Sequence, residues 1–124
     1  GVIAIFMGRI KEGKIPLIFG DGEKTRDYAF VSDVANANLL ALEKKTKDRI
    51  FNIGTGKETS VNEIFSLIKK ASGAKIGAEH VDAVPGEVDK IRLDCSLAKK
   101  ELGWQPAVQI EEGIKRTFEW FRNK

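Results

Sequence analysis

The chain carries almost none of the side chains that redox or metal chemistry needs. Its 124 residues include one cysteine (Cys95), one histidine (His80), one tyrosine (Tyr28) and one methionine (Met7). A single cysteine rules out an internal disulfide framework and fits a reducing compartment, so a cytoplasmic location is expected. One histidine and one cysteine fall short of the ligands a zinc site needs, and His80 is expected to be structural. Asp82, Glu87, Asp89 and Asp94 have no repeat spacing, so no metal site is expected; they read as a solvated face or helix caps, with Glu87 kept as a candidate. No G-x-S-x-G nucleophile motif occurs. The apolar opening Gly1-Val-Ile-Ala-Ile-Phe-Met7 is soon interrupted by Arg9 and Lys11. It is too short to span a membrane and has no basic leader. Lys and Arg number 21 against 18 Asp and Glu, a net charge of +3, with no long run of one sign. Without interleaved basic and aromatic residues, a nucleic-acid partner is disfavoured. The chain starts at Gly1 rather than at a methionine, so a fragment of a larger parent is expected.

What is present is ordinary for a globular domain, 42% hydrophobic and 31% charged. One domain over 1–124 is expected, burying roughly two-thirds of its unfolded surface. Helical spacing runs over 2–12 and stops at Gly13. A short strand follows over 15–19, with Pro16 at its start, and Gly20-Asp21-Gly22 reads as a turn. A second strand is expected over 28–31, with Ser32 capping the helix behind it, and a third over 50–53. Ser60-Val61-Asn62-Glu63 is a capping box opening a helix that presents Val61, Ile64, Phe65 and Ile68 and ends at Gly73. A further strand is expected over 76–81, an extended stretch over 91–94, a short helix over 96–102 stopped by Gly103, and a last helix with Ile110, Ile114, Phe118 and Phe121 on one face. The C-terminal Trp and Phe residues read as core. Short strands alternating with helices make the fold class α/β, in an α+β-like small domain with a small or incomplete sheet.

Two tempting motifs fail. Gly54-Thr55-Gly56 lies between strand and helix, but the dinucleotide fingerprint needs another glycine where Thr59 stands. A phosphate-binding P-loop needs Ser or Thr where Glu58 follows Lys57. Both readings leave a plain turn, and no cofactor-binding residue is expected in this chain.

Ile18-Phe-Gly-Asp-Gly22-x-x-x-Arg26-Asp-Tyr28-x-x-Val31-x-Asp33-Val-Ala35 is the richest stretch. With Phe51-Asn-Ile-Gly-Thr-Gly56, Ser60-Val-Asn-Glu63, Pro85-Gly-Glu-Val88, Leu102-Gly-Trp-x-Pro106 and Glu111-Glu-Gly113, it resembles the extended short-chain dehydrogenase/reductase family. The resemblance is to its NAD-dependent nucleotide-sugar epimerases and dehydratases, above all the UDP-glucose 4-epimerases, and it covers essentially the whole chain. It implies the C-terminal, substrate-holding portion of a Rossmann-type protein. In that family the Gly-x-x-Gly-x-x-Gly loop for NAD and the Tyr-x-x-x-Lys pair lie upstream. Tyr28 is followed by Val31 and Ser32, not by such a lysine, so no catalytic residue is expected here.

The resemblance implies substrate-binding roles for Leu17, Ile18 and Phe19 along a uracil, Arg26 on a diphosphate and Glu87 on the ribose hydroxyls. A planar guanidinium suits a phosphate, and a carboxylate is an acceptor for hydroxyls. The competing role for Arg26 is a salt bridge to Asp27 or Asp33. Family members usually carry an arginine where Val84 stands, so either the nucleotide is held differently, or Lys90 or Arg92 reaches in instead, or the site has drifted. The partners implied are a nucleotide-sugar, with a UDP-sugar favoured, the missing NAD-binding half, and further copies of the chain. The function implied is the nucleotide-sugar-binding portion of a sugar 4-epimerase, not competent alone. The alternative is a binding or oligomerisation module without enzymatic activity.

Overall fold

A computed structural model describes residues 1–124. Five helices and four very short strands follow in the order α1 (Val2–Lys11), β1 (Leu17–Phe19), β2 (Thr25–Arg26), α2 (Val31–Glu43), β3 (Thr59–Ser60), α3 (Val61–Ser72), β4 (Glu79–Val81), α4 (Ser96–Leu102) and α5 (Ile110–Arg122). The strands form two separate two-stranded sheets. β1 runs parallel to β4, with Ile18 opposite His80, and β2 runs antiparallel to β3, with Arg26 opposite Thr59. The small, incomplete sheet expected from the sequence is therefore two fragments of sheet.

The helices follow their sequence signals. In α3 the Ser60 hydroxyl accepts from Glu63 N at 3.1 Å while the Glu63 carboxylate accepts from Ser60 N at 2.7 Å. Each satisfies an N–H that the helix start leaves open. Gly73, at φ 69°, ends the helix in the left-handed region that glycine adopts freely. Gly103 ends α4 in the same way. Phe6 and Met7 of α1, Ile18 of β1, Ile64 and Ile68 of α3 and Ile114 of α5 are buried together, with Phe65, Phe118 and Phe121 packed around them. A second cluster joins Ala37 of α2 to Ala98, Leu102 and Trp104.

Several strand expectations are corrected. Residues 28–31 form no strand; the pairing lies earlier, at Thr25–Arg26, and Val31 already belongs to α2. Ser32 is therefore inside the helix, where it makes no cap, and Phe30 holds the N-cap position in extended backbone. Residues 50–53 have apolar character but find no ladder in either sheet; Phe51 and Ile53 instead lie against the second cluster. The strand expected over 76–81 narrows to its last three residues, and the one over 15–19 begins only after Pro16. Pro16 has no N–H to offer, yet its carbonyl accepts from Glu79 N at 2.9 Å and starts the pairing. Trp120 also departs from expectation: it is 59% exposed, with the Lys124 ammonium 4.4 Å from its ring, because position 120 falls off the 110–114–118–121 stripe.

The turn between β1 and β2 is locked from the side by α3. Gly22 has φ 76°, and a side chain there would run into the Asn62 amide. That amide is already committed, donating to Asp21 O at 2.9 Å and to Glu23 at 2.7 Å, while Asn62 N donates to Gly22 O at 3.0 Å. Gly73 has a similar φ but open space around it. Gly73→Ala should therefore cost only the backbone strain, about 1 kcal/mol. Gly22→Ala should cost more, on the order of 2–3 kcal/mol, because strain is joined by a clash. Urea unfolding of the two variants checks this, and equal losses would contradict it.

Candidate functional site

Strand alternation decides what β1 presents. Successive side chains point to opposite faces, so Leu17 and Phe19 share a face while Ile18 points the other way. Ile18 is 2% exposed and belongs to the core. Leu17 and Phe19 instead line a cleft of about 390 Å³, together with Lys24, Arg26, Val84 and Glu87. The start of α1 closes one side through Val2 and Ile5. That helix has neither a side-chain cap nor an acidic residue in its first turn, so its positive end adds to the field in the cleft. Four of the five expected residues thus meet at one cleft, and Ile18 reaches it with no side chain.

Arg26 is anchored by backbone rather than by either neighbouring aspartate. Its Nη1 donates to Thr25 O and to Val88 O, each at 2.7 Å. Its Nη2 lies 3.6 Å from Glu87 Oε1, an ion pair longer than a hydrogen bond. Lys24 Nζ holds the other oxygen, Oε2, at 3.0 Å. Arg26 and Glu87 are therefore neighbours in one charged group. Neither Lys90 nor Arg92 lines the cleft; the second cation there is Lys24. Once Thr25–Arg26 is known to be extended, residues 24 and 26 fall on one face, but the sequence alone places the strand later, at 28–31.

Asp27 and Asp33 both act as clamps. Asp27 Oδ1 accepts from Thr55 N at 2.7 Å and Thr55 Oγ1 at 2.6 Å. Its Oδ2 accepts from Gly56 N at 2.8 Å and Leu93 N at 3.1 Å. Burial pushes the Asp27 carboxyl up, but the bonds from Thr55, Leu93 and Gly56 together outweigh it and hold the group below its ordinary value. Asp33, 5% exposed, accepts from Ala107 N at 3.1 Å and Val108 N at 3.0 Å, while its carbonyl takes the buried Trp104 indole N–H at 2.9 Å.

The Asp27 clamp also decides the Gly54-Thr55-Gly56 question. The N–H groups a dinucleotide phosphate would need are already donated to a carboxylate, whose charge would repel that phosphate. A side chain at Gly54 would come within 2.8 Å of Asp27 Oδ2, so the glycine makes room for the clamp. The turn does not fit NAD.

Burial pushes the Tyr28 phenol up, against a smaller opposing effect of Arg26, and burial likewise raises the Cys95 thiol. The His80 ring contacts Gly20 O through Nδ1 at 2.8 Å, tying β4 to the glycine turn. No group of His, Cys, Asp and Glu comes together that could hold a metal ion. A larger depression of about 790 Å³ lies beside β2 and β3. Its charged lining is Glu23, Glu58, Glu63 and Glu111 against Lys57 alone, the wrong sign for a phosphate-bearing ligand.

Comparison with known proteins agrees on one family. The model of the GDP-mannose 4,6 dehydratase family matches residues 1–117. A putative UDP-glucose 4-epimerase of Methanocaldococcus jannaschii is 49% identical over 99% of this chain and 39% of its own length. The structure of a Thermotoga maritima UDP-glucose 4-epimerase with UDP-glucose superimposes with a TM-score of 0.94 at 48% identity, over 99% of this chain and 40% of that one. A variant Bacillus cereus UDP-glucuronic acid 4-epimerase, in complex with a fluorinated UDP-sugar and NAD, gives 0.91 at 28% identity, over 99% and 40%. The chain thus spans about two-fifths of the length of these relatives, and it matches the C-terminal portion of an extended short-chain dehydrogenase/reductase.

The Asp27 clamp has a pH signature. A carboxyl held below its ordinary value stabilises the fold above its unfolded pKa, about 4. That contribution disappears as pH falls through the lower folded value. Asp27→Asn should therefore destabilise the chain at pH 7 and leave a smaller loss of stability between about pH 5 and pH 2 than the parent chain shows. Urea midpoints across this range check it, and parallel pH profiles would contradict it.

Proposed function

The chain belongs to the GDP-mannose 4,6 dehydratase family of extended short-chain dehydrogenase/reductases, and from that premise we propose that it is the nucleotide-sugar-binding portion of a sugar 4-epimerase of the UDP-glucose/UDP-galactose type. The observation that carries the reading is the convergence of Leu17, Phe19, Arg26 and Glu87 on one cleft. Leu17 and Phe19 offer an apolar wall for the uracil. Arg26, with Nη1 fixed by two carbonyls, is oriented before the ligand arrives and turns Nη2 toward the diphosphate. Such pre-orientation lowers the ordering cost of binding. Glu87, an acceptor without protons to give, takes the ribose hydroxyls.

This chain's own work is to bind and orient. NAD would supply the redox chemistry in the full-length parent, held by a segment outside these residues. The relatives crystallised with UDP-sugars favour a UDP-linked ligand for this chain too. On this reading the chain alone turns nothing over. A second reading, a self-associating module without catalysis, is favoured by the exposed apolar side chains of Val31, Leu42 and Ile50. Exposed groups of this kind tend to be covered by a partner or another copy.

Calorimetric titration of the chain with UDP, dTDP and their sugars separates the two. Saturable UDP binding should weaken about ten- to hundred-fold in Arg26→Ala, the loss of a charge-assisted hydrogen bond worth about 1.5–3 kcal/mol. Flat titrations from a stable dimer would favour the second reading.

A further inference from the structure

We infer that Lys24 is the second diphosphate-binding cation of the cleft, standing in for the positive charge absent at Val84. The inference rests on the nucleotide-sugar reading above and names a residue that reading does not use. Three observations carry it. Lys24 and Val84 line the same cleft as Arg26. The Lys24 side chain is largely covered, 19% exposed, so its charge is fixed at the cleft rather than dispersed in solvent. Its backbone is pinned as well, because Lys24 O accepts from Val61 N at 3.1 Å, at the start of α3.

The bond to Glu87 does not exhaust Lys24. The ammonium donates one hydrogen bond to Glu87 Oε2 at 3.0 Å, and its remaining donors have no partner within the chain. A diphosphate beside Arg26 can therefore bind Lys24 with the Lys24–Glu87 bond intact. The charge sum supports this. Without Lys24, the Arg26 and Glu87 side chains cancel, and a dianionic ligand would meet only the positive start of α1. With Lys24, the group carries one net positive charge. Lys24 also holds Glu87 at hydrogen-bond distance while Arg26 lies further off, at 3.6 Å, so the guanidinium stays available to the ligand.

Titration of the full chain and its variants with UDP tests the assignment. Lys24→Gln keeps a polar side chain of similar reach and removes the charge; it should weaken UDP binding about ten-fold, and Lys24→Arg should recover most of that loss. Glu87→Gln, alone and combined with Lys24→Gln, separates contact from positioning. If Lys24 touches phosphate, adding Lys24→Gln to Glu87→Gln weakens binding about ten-fold again. If Lys24 only restrains Glu87, adding Lys24→Gln to Glu87→Gln changes nothing further, and the inference is overturned. Undiminished binding in Lys24→Gln, alongside weakened binding in Arg26→Ala, overturns it too and leaves the nucleotide-sugar reading standing. Absence of UDP binding by the parent chain overturns that reading and the inference together.

Discussion

The carboxylate of Asp27 is the interaction on which the rest of this structure depends. It joins three segments far apart in sequence: its own, the Gly54–Gly56 turn and the stretch at Leu93. Two-residue strands cannot supply such cohesion, since β2 and β3 share only a short ladder. A carboxylate accepting several N–H bonds can, and bonds to a charged group are stronger than those between neutral partners. The same clamp fixes the backbone next to Arg26, so the guanidinium beside it is aimed by structure rather than left to solvent. Asp33 repeats the device six residues later, tying α2 to the segment after Trp104.

Positioning and electrostatics then converge on one cleft. The core around Phe6, Ile18 and Ile64 takes the inward side of β1 and leaves Leu17 and Phe19 on the other. The glycine turn, locked by Asn62, brings Lys24 and Arg26 beneath them. The cleft is smaller than the depression beside β2 and β3, yet it combines an apolar wall with a positive cluster. The larger depression gathers glutamates. For a ligand with an apolar base and a charged diphosphate, the sign of the lining decides more than its volume.

Helices were legible in the sequence because their signals are local. The Ser60–Glu63 box, the glycine stops at Gly73 and Gly103, and the apolar stripes of α3 and α5 each act within a turn or two. Strands were less legible, because a strand exists only where a partner completes its ladder. The apolar stretch at 50–53 has no such partner in this chain, and pairing at Thr25–Arg26 depends on Thr59–Ser60, which no local pattern announces. The family motif singled out Arg26 and Glu87 as candidates, but not that they are neighbours or that Lys24 binds the same carboxylate. Nor could it distinguish Ile18 from its two neighbours, a matter of which face of β1 the core takes. Asp27 and Asp33 looked like partners for Arg26 from their proximity in sequence; backbone N–H groups from distant segments took them instead.

The central claim is that one cleft, between β1 and the turn after β4, receives the nucleotide. Backbone amide chemical shifts of the isotope-labelled chain, followed as UDP is added, test it most directly. The account predicts shifts concentrated at residues 17–19, 24–26 and 84–88, with the amides of Thr55 and Gly56 undisturbed because Asp27 already holds them. Shifts centred on the Gly54–Gly56 turn, or on the glutamate-lined depression beside β3, would contradict it.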